Sequence, residues 1–348
     1  MTLAALLSHL GFGLALCALS AALTWLAGRY LRVMAVPNER SSHARPVPKT
    51  GGVAIVTTFV AGMVTIYFVA DTARIEDRYF WGFLACVVLL AVVSFVDDVT
   101  QRSYAAKLAA QMLCAGAVVL AGFTVERLWV PLIGQVPLGW AGTVVTLVWV
   151  IGLTNACNFM DGLDGLAAGV AAIAGVFLCA IALSQQSLFV YAASYALVAA
   201  ALGFLVFNFP PARVFMGDAG STFFGFAFAA LAVIGAHFDQ GHLSFYVVPL
   251  LLFQFIFDTF FTFVRRLLRG EAVHRAHRTH LYQLLQRSGY SHRAVTLFHY
   301  AVAVAQGVGA IVLVKLEPQY RALVFLPFLA FNALYAWWVL RRAELGSE

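Results

Sequence analysis

An all-α fold, an integral membrane protein of about eleven spanning helices, follows from three observations on this 348-residue sequence. First, 62% of the residues are hydrophobic and 11% are charged, whereas a soluble domain carries about a quarter charged residues. Second, apolar runs near the roughly 20 residues that cross a hydrocarbon layer recur along the whole chain. Third, the basic residues concentrate on alternate loops between those runs, as they do in polytopic proteins. No internal repeat, low-complexity tract or soluble domain breaks the pattern, so residues 1–348 read as one transmembrane domain.

The runs are bounded by polar loops. The first, 3–27, precedes the first basic residue, Arg29. It lacks the positive leader of a signal peptide and reads as an uncleaved helix with its N-terminus outside. The second, 51–70, opens at Gly51-Gly52 after a polar, basic stretch, and the third, 79–96, stops at Asp97-Asp98. A short polar segment containing Gln101, Arg102 and Ser103 leads to 106–123. The glycine- and proline-bearing stretch 124–139 separates that from 140–156. The segment NACNFMDGLDGLAAG (155–169) leads into 166–184, and SQQS (184–187) parts it from 188–206. NFPPARVFMGDAG (208–220) introduces 221–236. The run 245–264 ends before a basic loop, and KLEPQYR (315–321) divides 294–314 from 322–340.

Of the 22 lysines and arginines, 17 lie in or beside the loops 28–50, 97–105, 157–165, 207–220, 265–293 and the tail 341–348. Only Arg74, Arg78, Arg127, Lys315 and Arg321 lie in the alternate set. The positive-inside rule therefore makes the first set, and the C-terminus, cytoplasmic. The five cysteines form no CxxC and lie within or at the ends of apolar runs, where they read as small buried hydrophobes. Nothing points to nucleic acid.

The chemistry collects on the cytoplasmic loops. Asp97, Asp98, Asp161, Asp164 and Asp218 all stand at helix–loop junctions on that one face. Such carboxylates repel each other unless arginine, lysine or a metal offsets them. Asp97-Asp98 reads either as a solvated helix end or as a metal or phosphate site, since carboxylate oxygens suit Mg²⁺ or Mn²⁺. Asp161 and Asp164, three apart, share a face if the sixth helix begins within Gly162–Gly169, and Asn155 and Asn158 have the same spacing before it. Capping of that helix accounts for one aspartate and leaves the other and the amides unexplained. Gly217 and Gly220 bracket Asp218, and a glycine-lined helix start offers backbone N–H groups to a phosphate. In the fifth inward loop, His274, His277 and His280 sit among arginines. They suggest phosphate contacts or proton transfer, against the plainer reading of a membrane-surface anchor. Asp258 is the single acid within an apolar run, with Arg265 and Arg266 within two turns as candidate ion-pair partners.

VPNERSSHARPVPKTGG, FVDDVTQRS, NACNFMDGLDGLAAG, FMGDAGS and a His-Arg-x-His loop, in that order over about residues 30–295, resemble the polyprenyl-phosphate N-acetylhexosamine-1-phosphate transferases, glycosyltransferase family 4. The resemblance implies an enzyme of the bacterial inner membrane with its active site facing the cytoplasm. It implies transfer of a sugar-1-phosphate from a UDP-N-acetylhexosamine to undecaprenyl phosphate, release of UMP, and dependence on Mg²⁺, with Mn²⁺ as the alternative ion. A homodimer is compatible with it. By position, Asp218, Asn158 and Asp98 match metal-site residues. Asp97 and Asp98 match the pair assigned to metal binding or to deprotonating the lipid phosphate. Asp161 and Asp164 match acids assigned to nucleotide binding or to nucleophilic attack. His280 joins the catalytic set. Asn155, Asn158, Lys49, Arg45, Arg278, Gly217 and Gly220 are expected to bind substrate. Direct attack and a phospho-aspartyl intermediate need the same residues; direct attack is favoured because the lipid phosphate is already an oxyanion.

Many members have further histidines two and three residues beyond the position of His280; this chain has Tyr282 and Gln283. HRTHLYQ looks like the branch that starts O-antigen units, with GlcNAc or a 6-deoxy sugar such as FucNAc or QuiNAc as donor. Two other classes remain open at this point. A transporter would place its acids near the bilayer midplane in paired halves. A lipid-phosphate phosphatase would not need a nucleotide-sized set of amides and carboxylates.

Overall fold

A computed structural model describes residues 3–31, 33–35, 45–70, 75–100, 104–237, 243–272 and 277–345. Residues 36–44 and 101–103 of the first two inward loops, and His274, lie outside the described residues. The described chain is almost wholly helical: α1 (Leu3–Tyr30), α2 (Gly51–Val69), α3 (Asp77–Thr100), α4 (Tyr104–Leu120), α5 (Trp140–Phe159), α6 (Leu166–Ser184), α7 (Leu188–Asn208), α8 (Gly217–His237), α9 (Val247–Leu251), α10 (Phe253–Leu268), α11 (Leu281–Arg287), α12 (His292–Lys315) and α13 (Phe325–Leu345). Among the described residues nine helical segments are long and apolar enough to cross a membrane, which makes this a polytopic all-α membrane protein.

Every expected run contains a helix, but two differ from a simple span. The fourth is the short α4, of 17 residues. The ninth is broken at Leu252 into α9 and α10. A helix break inside a bilayer is tolerated only where other groups satisfy the freed backbone. Here the amide of Gln306 on α12, in the orientation that satisfies both its ends, donates to Leu251 O (3.2 Å) and accepts from Gln254 N (2.9 Å). The sequence reading contained no strands, yet two small antiparallel pairs form. β1 (Met34–Ala35) joins β2 (Val47–Pro48), and β3 (Arg127–Val130) joins β4 (Gly134–Pro137). Residues 318–324 form a 3₁₀ segment before α13.

The centre of the bundle is α8, buried from Ala219 to Gly235. It packs against α2, α3 and α5, with α7 beyond, while α1 and α13 keep broad apolar faces exposed. An apolar run cannot be sorted into central or peripheral by hydrophobicity alone, because lipid and protein interior are equally apolar. What marks the interior is small residues. A Cβ at Gly225 of α8 would lie 2.6 Å from Thr154 Cα of α5. On α7, a Cβ at Gly203 would lie 2.3 Å from Cys17 O of α1, beside the hydrogen bond from Ser20 Oγ to Ala200 O (2.6 Å).

Gly203→Val is therefore expected to wedge α1 from α7 and to destabilise the protein by about 1–3 kcal/mol. Gly82→Ala, where an added Cβ meets nothing within 4 Å, should be neutral or slightly stabilising. Thermal unfolding of the two variants in detergent checks this; equal midpoints would refute the close-approach reading.

Candidate active site

At one end of the bundle, ends of α2, α3, α4, α5 and α8 converge, and the polar groups they carry are matched to one another. The link begins in the backbone. Phe215 N donates to Pro48 O (2.7 Å), Gly51 N to Phe215 O (2.9 Å) and Gly52 N to Met216 O (2.8 Å). This sets the start of α2 against the start of α8. A Cβ at Gly52 would lie 2.3 Å from Gly220 N, so the two glycines let the chains touch.

Asp98, buried at the end of α3, closes this junction. Its Oδ2 accepts from the backbone N–H groups of Asp218 (2.8 Å) and Ala219 (3.4 Å), and its Oδ1 pairs with Lys49 Nζ (3.2 Å). The carboxylate thus satisfies N–H groups of α8 and faces the positive end of its dipole. Gly217, at φ +68°, brings the chain so close that a Cβ there would meet Asp98 Oδ2 at 2.7 Å. Here the structure corrects the sequence reading. Between Gly217 and Gly220, the N–H groups of Asp218 and Ala219 are held by Asp98 rather than offered to a phosphate, and Gly220 faces Gly52. Lys49, expected on substrate phosphate, is the counter-ion of Asp98. Both oxygens of Asp98 are engaged, so neither is free for the metal expected there.

A second cation sits deeper. Lys107, in the first turn of α4, is buried, and its Nζ lies 2.5 Å from Asp218 Oδ2 and 2.9 Å from Asn158 Oδ1. Asn158 Nδ2 donates to Asp218 Oδ1 (3.0 Å) and to Ser221 Oγ (2.9 Å). The oxygens of Asp218 and Asn158 therefore converge on one point, held here by an ammonium group. A hard-oxygen pair of this kind suits Mg²⁺, which takes few protein ligands and completes its shell with water and phosphate. Among the described residues no three His, Cys, Asp or Glu side chains converge on a shared point. Asn155 turns instead toward α4, exchanging hydrogen bonds with Gln111 (2.7 and 3.4 Å).

The two aspartates of the third loop separate. Helix α6 begins only at Leu166, after Gly165 at φ +70°, so Asp161 and Asp164 lie in the loop and do not share a helical face. Neither caps α6. Asp164 Oδ2 accepts from Ala212 N (3.0 Å), and its Oδ1 lies 3.3 Å from His292 Nδ1. Thr296 Oγ1 and Tyr300 OH donate to the carbonyls of Asp164 and Gly165 (2.8 and 2.6 Å). Asp164 thus ties the loop to the fourth inward loop and to α12. Among the described residues the carboxylates of Asp97 and Asp161 have no hydrogen-bond or ion-pair partner, and both keep some accessible surface.

The fifth loop closes over the third. Tyr282, fully buried, donates from its OH to Phe159 O (2.9 Å) and packs where a Cβ at Gly162 would meet its OH. His280 stacks on Phe159 at 5.9 Å between ring centroids. Its Nδ1 lies 3.1 Å from Asp258 Oδ1. This corrects the expected pairing of Asp258 with Arg265 or Arg266, because Arg266 pairs with Glu271 (2.8 Å) and Arg265 donates to Thr279 O. Burial, then the positive charges of His280 and Arg266, push His277 down to about 4, so it is neutral at pH 7. Arg278 is half-buried beside Tyr282, and Arg45 is exposed ahead of β2.

The sequence reading did not single out Lys107, Ser221, Gln111 or the Asp258–His280 pair. A lone lysine in the first turn of an apolar helix was the available signal for Lys107.

Burial, then repulsion from Asp218, Asp98 and Asp164, raises Asp161 well above the ordinary carboxylate range, although water at its accessible edge screens part of this. The folded state therefore holds the Asp161 proton more tightly than the unfolded chain. Stability falls as pH rises from about 4, the unfolded value, until the folded value is passed. Asp161→Asn removes that penalty. Without divalent metal it should raise the thermal midpoint at pH 7–8 and have little effect below about pH 4. Equal gains at both pH values would show that the aspartate does not ionise under strain.

Comparison with known proteins places this geometry. The family model "Glycosyl transferase family 4" matches residues 80–236, the span that carries Asp97, Asp98, Asn158, Asp161 and Asp218. A probable undecaprenyl-phosphate N-acetylglucosaminyl 1-phosphate transferase of Bacillus subtilis is 33% identical over 278 residues, 80% of this chain and 76% of the relative. A decaprenyl-phosphate N-acetylglucosaminephosphotransferase of Mycobacterium tuberculosis is 32% identical over 86% of this chain and 80% of its own length. A phospho-N-acetylmuramoyl-pentapeptide-transferase of Latilactobacillus sakei is 34% identical over 54% of this chain and 61% of its own. The chain belongs to glycosyl transferase family 4, the polyprenyl-phosphate N-acetylhexosamine-1-phosphate transferases.

Proposed function

We propose that this protein transfers N-acetylhexosamine-1-phosphate from a UDP-sugar to undecaprenyl phosphate, giving undecaprenyl-diphosphate-sugar and UMP, as the first membrane step of O-antigen synthesis. The observation that carries the reading is the pair of half-buried ammonium–carboxylate contacts, Lys49–Asp98 and Lys107–Asp218, beside the carboxylates of Asp97 and Asp161, unpaired among the described residues. A site for two phosphates must neutralise them and still keep its own charges apart. Two relatives' names specify N-acetylglucosamine, which favours GlcNAc over a 6-deoxy sugar as donor. The charge contrast between the two sets of loops supports a site facing the cytoplasm, with the N-terminus outside and the C-terminus inside, in the bacterial inner membrane that the resemblance implies.

In this reading an oxygen of the lipid phosphate attacks the sugar-bearing phosphorus of the donor. One P–O bond forms, the diphosphate P–O bond breaks, and its electron pair leaves with UMP. Asp97, whose carboxylate has no partner among the described residues, takes the proton from the lipid phosphate when that phosphate arrives protonated. Asp161 orients the donor nucleotide. Arg278 and His280 contact the donor diphosphate from the fifth loop, and Arg45 meets phosphate at the rim. Lys107 keeps Asp218 and Asn158 aligned. Asp218 and Asn158 would hold Mg²⁺ or Mn²⁺, with Asp98 behind them, and the ion would neutralise charge on the phosphate oxygens.

The direct test is radiolabelled UDP-sugar with undecaprenyl phosphate in membranes, over a panel of sugars. Label should move to the organic phase with UMP released; uptake or free phosphate alone would overturn the transferase reading. Asp218→Asn should abolish transfer in a protein that still inserts, and near-normal activity at saturating Mg²⁺ would refute its metal role. For orientation, single cysteines at Ile133 and at Arg287 in a cysteine-free background separate the faces. An impermeant thiol reagent on intact spheroplasts should label the first and spare the second.

A further inference from the structure

We infer that Asp258, on α10, is the positioning residue of His280, fixing which ring nitrogen the fifth loop presents to the donor diphosphate. The inference rests on the reading that His280 meets that diphosphate. Asp258, the single acid of α10, is 0% exposed, where a carboxylate is tolerated only if its oxygens are satisfied. Three of its four contacts go to one short segment. Oδ1 takes His280 Nδ1 (3.1 Å) and Leu281 N (3.0 Å), and Oδ2 takes Tyr282 N (3.1 Å). The fourth, from Thr262 Oγ1 (3.2 Å), comes from its own helix and steadies the same oxygen that holds the ring. One residue earlier, the Thr279 carbonyl is gripped by Arg265. The segment is therefore held from both sides of His280 by neighbouring turns of α10.

The chemistry follows from the atom held. A carboxylate on Nδ1 requires the proton there, which sets the tautomer and leaves Nε2 as the nitrogen to present. The ring plane is fixed a second time by stacking on Phe159, next to Asn158 of the Lys107–Asp218 cluster. A plain helix cap needs only the Leu281 and Tyr282 contacts and no imidazole.

Two measurements test the assignment. In ¹⁵N-histidine NMR of the wild-type protein, with His280→Ala identifying the resonance, His280 should carry its proton on Nδ1. A ring unprotonated at Nδ1 would overturn the proposal, and this arm stands whether or not sugar phosphate is transferred. The second is a double-mutant cycle on transfer. Asp258→Asn should lower kcat/KM by about tenfold in the wild-type background and by less than about twofold in the His280→Ala background. Equal losses in both would make Asp258 a cap of α11 and nothing more. Thr262→Val should show the same dependence on His280 at smaller amplitude, and it keeps the cycle interpretable if Asp258→Asn does not fold. Failure of wild-type transfer with every UDP-sugar would sink the proposed function while leaving the NMR result to judge Asp258.

Discussion

A buried carboxylate with both oxygens engaged holds the site together. Asp98 reaches from α3 to the first turn of α8 and to Lys49 ahead of α2, so three helices meet on one side chain. Withdrawing such an ion from water costs several kcal/mol unless hydrogen bonds and a counter-charge repay it. The contact is therefore all or nothing: remove Lys49 or displace α8 and the buried charge is left uncompensated. Lys107 does for Asp218 what Lys49 does for Asp98. Acids that would repel each other at one end of the bundle become a set of matched pairs, with Asp97 and Asp161 left unpaired among the described residues.

Much of this was legible in the sequence, and the limits have physical causes. The fold class and the helices followed from apolar length, which lipid demands directly. Which helix is central did not, because an interior helix and a lipid-facing one are both apolar. The acids were found because charged residues at apolar helix ends are conspicuous. Their partners were missed. Lys107 and Asp218 are 111 residues apart, and Asp258 and His280 stand on separate elements, so no local spacing announces either pair. Asp161 and Asp164 illustrate a subtler limit. Their spacing suits a helical face, but Gly165 in a left-handed conformation delays α6 and sends the two side chains to different tasks.

The departure at Tyr282 and Gln283 gains a structural meaning. Where many relatives have imidazoles, this chain places a fully buried phenol against Gly162, bonded to the carbonyl that ends α5. Gln283 turns back to accept from His280 N (3.3 Å). Tyr282 braces the third loop against the fifth, and Gln283 closes the fifth loop on itself.

The buried state of α8 bears on how the protein is made. A helix buried on every side has no stable home facing lipid, where its small and aromatic residues would lose their partners and its polar first turn would meet hydrocarbon. It needs a socket. Most of the walls of that socket, α2, α3, α5 and α7, precede it in the chain, and α9 follows it. Synthesis from the N-terminus therefore delivers most of the socket before the plug. The Asp98 carboxylate, already fixed on α3, is waiting when the first turn of α8 arrives. Assembly of the catalytic end is in this sense the last act of inserting the bundle's centre, and an error in any earlier helix reaches the site through α8.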